Sequence, residues 1–111
     1  ELKKHLRRVS KEYRRRRQTL QSCLHEAFGE QIAVQEPEGG LALWVRFADS
    51  IDVDQLIEKA LERDLVVRGG RQFSPDDQPE NALRLGFASL NEEEIRRAVQ
   101  RLAQAAKALG C

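Results

Sequence analysis

Residues 81–103, "NALRLGFASLNEEEIRRAVQRLA", place a strand and a helix back to back, and the period of their apolar residues decides the fold. From Ala82 to Leu90 the period is two. Leu83, Leu85 and Phe87 share one face, and Ala82, Arg84, Gly86 and Ala88 share the other. Beyond Asn91 the period lengthens, and Ile95, Val99, Leu102, Ala106 and Leu109 fall on one helical stripe. Asn91 reads as the N-cap, with Glu94 completing a capping box and Leu90 and Ile95 at the staple positions. A one-sided strand running into a one-sided helix predicts that the helix folds back over the apolar strand face.

The rest of the chain extends this pattern. The segment 69–81, "GGRQFSPDDQPEN", is a long polar loop with two Pro and two Gly, a length that in a small domain often carries function. Before it, Leu65–Arg68 reads as a brief strand and Val53 to about Arg63 as a helix. Asp52 is that helix's N-cap, Ile51 and Leu56 form its staple, and Val53, Leu56, Ile57, Ala60 and Leu61 make its buried stripe. In "LALWVRF" (41–47), Leu41, Leu43, Val45 and Phe47 alternate with Ala42, Trp44 and Arg46. A shorter strand, Ile32–Gln35, precedes it across a turn made by Pro37, Gly39 and Gly40, which predicts a hairpin.

Residues 2–28 read as one helix. Leu6, Val9, Tyr13, Arg16, Leu20, Cys23 and Ala27 recur at alternating spacings of three and four. Leu24 and Phe28 thicken only the second half of this stripe, so the helix is expected to dock by its C-terminal half, with Gly29 as its stop. The order helix, two strands, helix, two strands, helix predicts an α+β fold: a small, mostly antiparallel sheet with helices on one face.

Composition narrows the function classes. A chain of 111 residues, 41% apolar and 33% charged, suits one domain with one core. It has no apolar run of about 18 residues and no signal-peptide pattern. The expectation is a cytoplasmic protein without a membrane partner. The chain opens on Glu1 and contains no Met, which reads as a piece of a longer protein. Cys23 and Cys111 read as free thiols of a reducing compartment, and no Cys/His metal spacing occurs. Residues 1–17 hold nine Lys/Arg against Glu1 and Glu12, a net of +7. The remainder holds ten against sixteen, a net of −6, giving the overall +1.

Few residues suggest chemistry. Arg84 interrupts an otherwise apolar strand, and its neighbours on its own face are all small. Two readings stand: an exposed or salt-bridged surface arginine, or a guanidinium fork for a carboxylate lying against the sheet. The Gly39–Gly40 pair reads as a turn, or as a place where backbone approaches a ligand. In "RGGRQF", Arg68, Gly69, Gly70 and Arg71 offer an anion cradle without the strand and helix context of a phosphate loop. The basic helix 1–17 reads as a solvated linker, or as a nucleic-acid-binding arm through phosphate contacts. His5 and His25 have no partner at catalytic spacing.

Four segments, "HLRRVSKEYRRRRQTL", "EPEGGLALWVRF", "DVDQLIEKALERDLVVRGGRQFSP" and "NALRLGFASLNEEEIRRAVQRLA", together resemble the C-terminal small domain of fold-type I, pyridoxal-phosphate-dependent aminotransferases. Within that group the chain is most similar to the aminotransferase-like domain of GntR/MocR-type transcriptional regulators, a choice Gly86 favours, with class I/II aminotransferases of the 2-aminoadipate type close behind. The resemblance implies a linker helix over 1–28 from a missing large domain and a small domain over 29–111. It implies that Arg84 binds a substrate α-carboxylate. Gly39 and Gly40 would line the substrate entrance, and Gly70 and Phe73 would sit at the active-site mouth. Gly69 stands where Pro is common. Pyridoxal 5'-phosphate, its Schiff-base lysine and its phosphate site are implied for the full-length protein outside this chain, so the fragment alone would neither hold the cofactor firmly nor transaminate. An amino-acid or amine ligand and a homodimer are implied too, with DNA bound through a missing N-terminal domain if the protein is a regulator.

Overall fold

The computed structural model describes residues 2–35, 42–69 and 80–110, with side chains from residue 11 onward. Helix α1 spans Leu2–Phe28 and ends where Gly29 takes φ +56°, a left-handed conformation that costs a Cβ-bearing residue about 1–2 kcal/mol. A single 3₁₀ turn, Gly29–Gln31, leads into strand β1, Ile32–Gln35. Strand β2 (Ala42–Phe47), helix α2 (Val53–Leu61), strand β3 (Arg68–Gly69), strand β4 (Ala82–Gly86) and helix α3 (Glu92–Ala108) follow.

The four strands form one antiparallel sheet in the order β1-β2-β4-β3. Leu43, Val45, Phe47, Leu83 and Phe87 are buried beneath the helices. Leu20, Leu24 and Phe28 of α1, Val53, Leu56 and Ala60 of α2, and Ile95, Val99 and Leu102 of α3 complete that core. Phe28 meets Phe47 edge to face, ring centroids 5.4 Å apart. Alpha-helix 1 therefore packs through its C-terminal half, as its thicker apolar stripe there requires.

Both expected caps form. The Asp52 carboxylate accepts from the backbone N–H groups of Asp54 and Gln55. Asn91 and Glu94 exchange reciprocal hydrogen bonds of 3.0 and 2.8 Å.

Two local expectations need correction. Leu65–Arg68 is not a strand; pairing starts only at Arg68. The Leu65 N–H instead donates to the Ala60 carbonyl (2.9 Å) and the Asp64 N–H to that of Leu61 (3.1 Å), a Schellman closure of α2 around Asp64 at φ +60°. A backbone donor committed to a helix end cannot also join a ladder. Leu61, read as part of the buried stripe, is 61% exposed. It lies roughly 80° around the helix from Val53, at the flank of the buried sector.

Candidate functional site

Register assembles the site. Gln35 pairs with Trp44, Trp44 with Arg84, and Arg84 with Arg68, so one row of side chains crosses all four strands on the face away from the helices. Alternation dictates this: Leu83 and Leu85 turn into the core, and Arg84 between them turns out and is exposed. Ala82 and Gly86 flank it along its own strand, and Gly86 stands opposite Ala42. Its neighbours along β4 are thus small, while across the sheet it stands between Trp44 and Arg68, and Ala82 and Ala42 are themselves buried.

The acid on this face is already engaged. Glu80 Oε2 accepts a 2.9 Å hydrogen bond from Trp44 Nε1 and lies 3.5 Å from Arg46 Nε. Among the described residues, neither Arg84 nor Arg68 has a hydrogen-bond or ion-pair partner. Of the two surface readings of Arg84, the salt-bridged one therefore finds no support among the described residues, while the residue is exposed as the other expects.

The platform is anchored from one end by Asn81. Its amide Nδ2 donates to the carbonyls of Phe47 (3.2 Å), Ala48 (3.1 Å) and Ile51 (2.6 Å), and its Oδ1 accepts from the Val53 N–H (3.0 Å). One side chain thus joins the end of β2, the start of α2 and the start of β4. The sequence reading placed Asn81 only at the end of a polar loop. Nothing in the local pattern marks a residue whose partners lie about thirty positions away. At the other end, Arg16 of α1 donates from Nη1 to the Ala88 carbonyl at 2.7 Å, tying the long helix to the turn after β4.

Arg84 lies where the sequence placed it, on the open face. Arg68, read as the last residue of a brief strand and as one edge of an anion cradle, stands in β3 directly opposite Arg84. A two-residue strand has no period from which to foresee this. Gly39, Gly40, Gly70 and Phe73 lie outside the described residues.

A cleft of about 210 Å³ opens where β3 ends beside Leu85 and Gly86. Its walls are apolar, from Leu20, Leu65, Val67, Leu90 and Ile95, and Arg68 and Arg84 are its titratable residues. A groove of about 360 Å³ between α1 and α3 contains Cys23, Glu26 and Arg96. Burial pushes the Cys23 thiol up, with Glu26 adding to the rise and Arg96 opposing it, so this sulfur stays protonated and is a poor nucleophile.

Among the described residues no group of His, Cys, Asp and Glu is placed to hold a metal ion. No described helix is long and apolar enough to cross a membrane. Lys59 belongs to α2, 3.5 Å from Glu62, and Lys107 lies in the last turn of α3. Neither stands in the Arg84 row, so the described face offers a fork for a carboxylate but no amine to which an aldehyde cofactor would attach.

The comparisons agree with this architecture. Residues 1–102 match the family of class I and II aminotransferases, and the chain belongs to that family. It is 30% identical to aromatic-amino-acid aminotransferase 1 of Thermococcus litoralis over 96% of this chain and 25% of that protein. It is 31% identical to the 2-aminoadipate transaminase of Thermus thermophilus over 94% of this chain and 26% of that protein. The crystal structure of LysN, the α-aminoadipate aminotransferase of Thermus thermophilus, superposes with a TM-score of 0.85 at 30% identity, over 97% of this chain and 28% of that one. The uncharacterized HTH-type transcriptional regulator YjiR of Escherichia coli is more distant, 26% identical over 92% of this chain and 22% of that protein. The chain spans about a quarter of the length of these relatives.

Proposed function

We propose that these residues form the small domain of a pyridoxal-phosphate-dependent amino-acid aminotransferase, in which Arg84 binds the substrate's α-carboxylate. The observation that carries this reading is the Arg84 guanidinium itself: exposed, flanked by Ala82 and Gly86, and without an acidic partner among the described residues. A planar fork accepts a carboxylate bidentately and fixes its plane, which a lysine point charge does not. Trp44 on one side walls the position, and Asn81 and Arg16 hold the strand ends that carry it. The linker over residues 1–28, which contains helix α1, would join this domain, 29–111, to a large domain. Bound pyridoxal phosphate would supply the electron sink for chemistry at the amino acid's α-carbon, with its lysine and phosphate cradle outside these residues.

The regulator reading from the sequence takes second place. Its support is the likeness to HTH-type regulators at 26% identity, against 30% and 31% for the transaminases. In a regulator the same arginine would hold a sensed amino acid or amine, and DNA would be read by a separate domain. A homodimer is proposed for either form.

The test is steady-state kinetics of the full-length protein. Arg84→Ala should raise KM for the amino acid by about ten- to a hundredfold, the loss expected when a charge-assisted hydrogen bond goes. Arg84→Lys should recover only part of it. An unchanged KM in Arg84→Ala would remove the carboxylate role, and a full-length protein without transaminase turnover would favour the regulator.

A further inference from the structure

We infer that Trp44 is a positioning residue for Arg84: its indole N–H holds the Glu80 carboxylate away from the guanidinium and so keeps that arginine open to a ligand. The inference rests on the proposed role of Arg84 and adds what protects it. Arg84, Ala82 and Glu80 alternate along the chain, and the Glu80 carboxylate meets the outward-facing Trp44 and Arg46, so Glu80 shares the face of Arg84. Four extended residues span about 13 Å, a gap that an outstretched arginine and an outstretched glutamate can close between them. Glu80 is thus a counter-charge within reach of Arg84. Asn81 fixes the backbone beside it through its bonds to Phe47, Ala48, Ile51 and Val53, so rotation of the Glu80 side chain decides which cation it meets. That side chain turns away from Arg84. Its Oε2 accepts from Trp44 Nε1 at 2.9 Å and lies 3.5 Å from Arg46 Nε.

Register explains why tryptophan suits this task. Trp44 is the partner of Arg84, and Arg46 is the partner of Ala82, so the indole reaches from the row of Arg84 across the next row towards Glu80. Ala82, in that next row, is fully buried although it faces outward, so side chains lie over the ground between the two charges. An indole has one donor and no acceptor, so it can bind the carboxylate but makes no hydrogen bond that would occupy the guanidinium. Its bond to an ionised acceptor is charge-assisted and fixes the direction of the carboxylate. The half-exposed Arg46 adds a longer contact that water screens. Without the N–H, Glu80 becomes a tethered rival to any ligand carboxylate. A tether this short gives an effective concentration on the order of millimolar, near the upper end of usual KM values.

The experiment is a calorimetric titration of the full-length protein with valerate and with valeramide, which share a carbon skeleton and differ in the carboxylate. The wild-type protein should bind valerate about tenfold more tightly or better, and Arg84→Gln should abolish that preference. Trp44→Phe, which keeps an aromatic ring and loses the N–H, should weaken valerate by about threefold or more and valeramide by less than about twofold. Glu80→Gln should shift valerate by less than about twofold in the wild-type background and restore it by about threefold or more in the Trp44→Phe background. A general field would act equally in both backgrounds, so equal gains would overturn the inference. So would a Trp44→Phe loss that Glu80→Gln does not restore, which would make Trp44 a packing residue or a direct ligand contact. A Trp44→Phe protein that binds valerate like wild type would overturn it as well. Those three results leave Arg84 in its role wherever Arg84→Gln loses the preference. A wild-type protein without a preference for valerate, or an Arg84→Gln protein that keeps it, would instead remove the carboxylate role of Arg84 and this inference with it.

Discussion

A Cβ built on Gly69 would lie 2.5 Å from the Ala82 carbonyl oxygen and 2.5 Å from the Leu83 Cα. The restriction is one of space, not of backbone angle, and both obstructing atoms belong to a paired strand that cannot turn aside. Gly69→Ala should therefore push β3 off β4 and destabilise the protein by about 1–3 kcal/mol, read as a lower urea midpoint. An unchanged midpoint would show that β3 relaxes freely. Arg84 shows the opposite case, in which a residue is readable in place. Leu83 and Leu85 on either side settle which way it points, and Arg84 is exposed between them. Arg68 carried no such signal, because its side-chain direction follows from its partner strand rather than from its neighbours in sequence.

At the scale of elements, the caps of α2 and α3 were readable residue by residue, since each is a contact within three positions. The strand expected from Leu65 was not, because the C-terminal closure of α2 competes for the same backbone donors and prevails. Asn81 couples elements instead of closing one. With three carbonyls and one N–H dependent on its amide, Asn81→Ala should destabilise by about 2 kcal/mol, measured by chemical denaturation. Hydrogen exchange at Val53 should quicken in the same variant, since its N–H loses its acceptor. Stability equal to wild type would mean that water replaces the amide at all four groups.

Across the whole molecule, α1 is held through an apolar half and polar ties that include an ion pair of Arg15 with Glu92 at 3.9 Å. Leu20, Leu24 and Phe28 enter the core, and Arg16 reaches the Ala88 carbonyl while lying over the Tyr13 ring at 5.9 Å. Arg16→Ala should cost about 1.5 kcal/mol and accelerate amide exchange in α1 upstream of Leu20, leaving the sheet protected. Equal exchange in the two proteins would show that the apolar half alone docks the helix. The elements, their order, the buried faces and the outward direction of Arg84 follow from the sequence by itself, because period and capping are local properties. The pairing of β4 between β2 and β3, the row that sets Arg84 between Trp44 and Arg68, and the anchoring by Asn81 belong to the tertiary structure. Each depends on which strands meet and in what register, and that is settled by burial over the whole core rather than by any neighbouring residue.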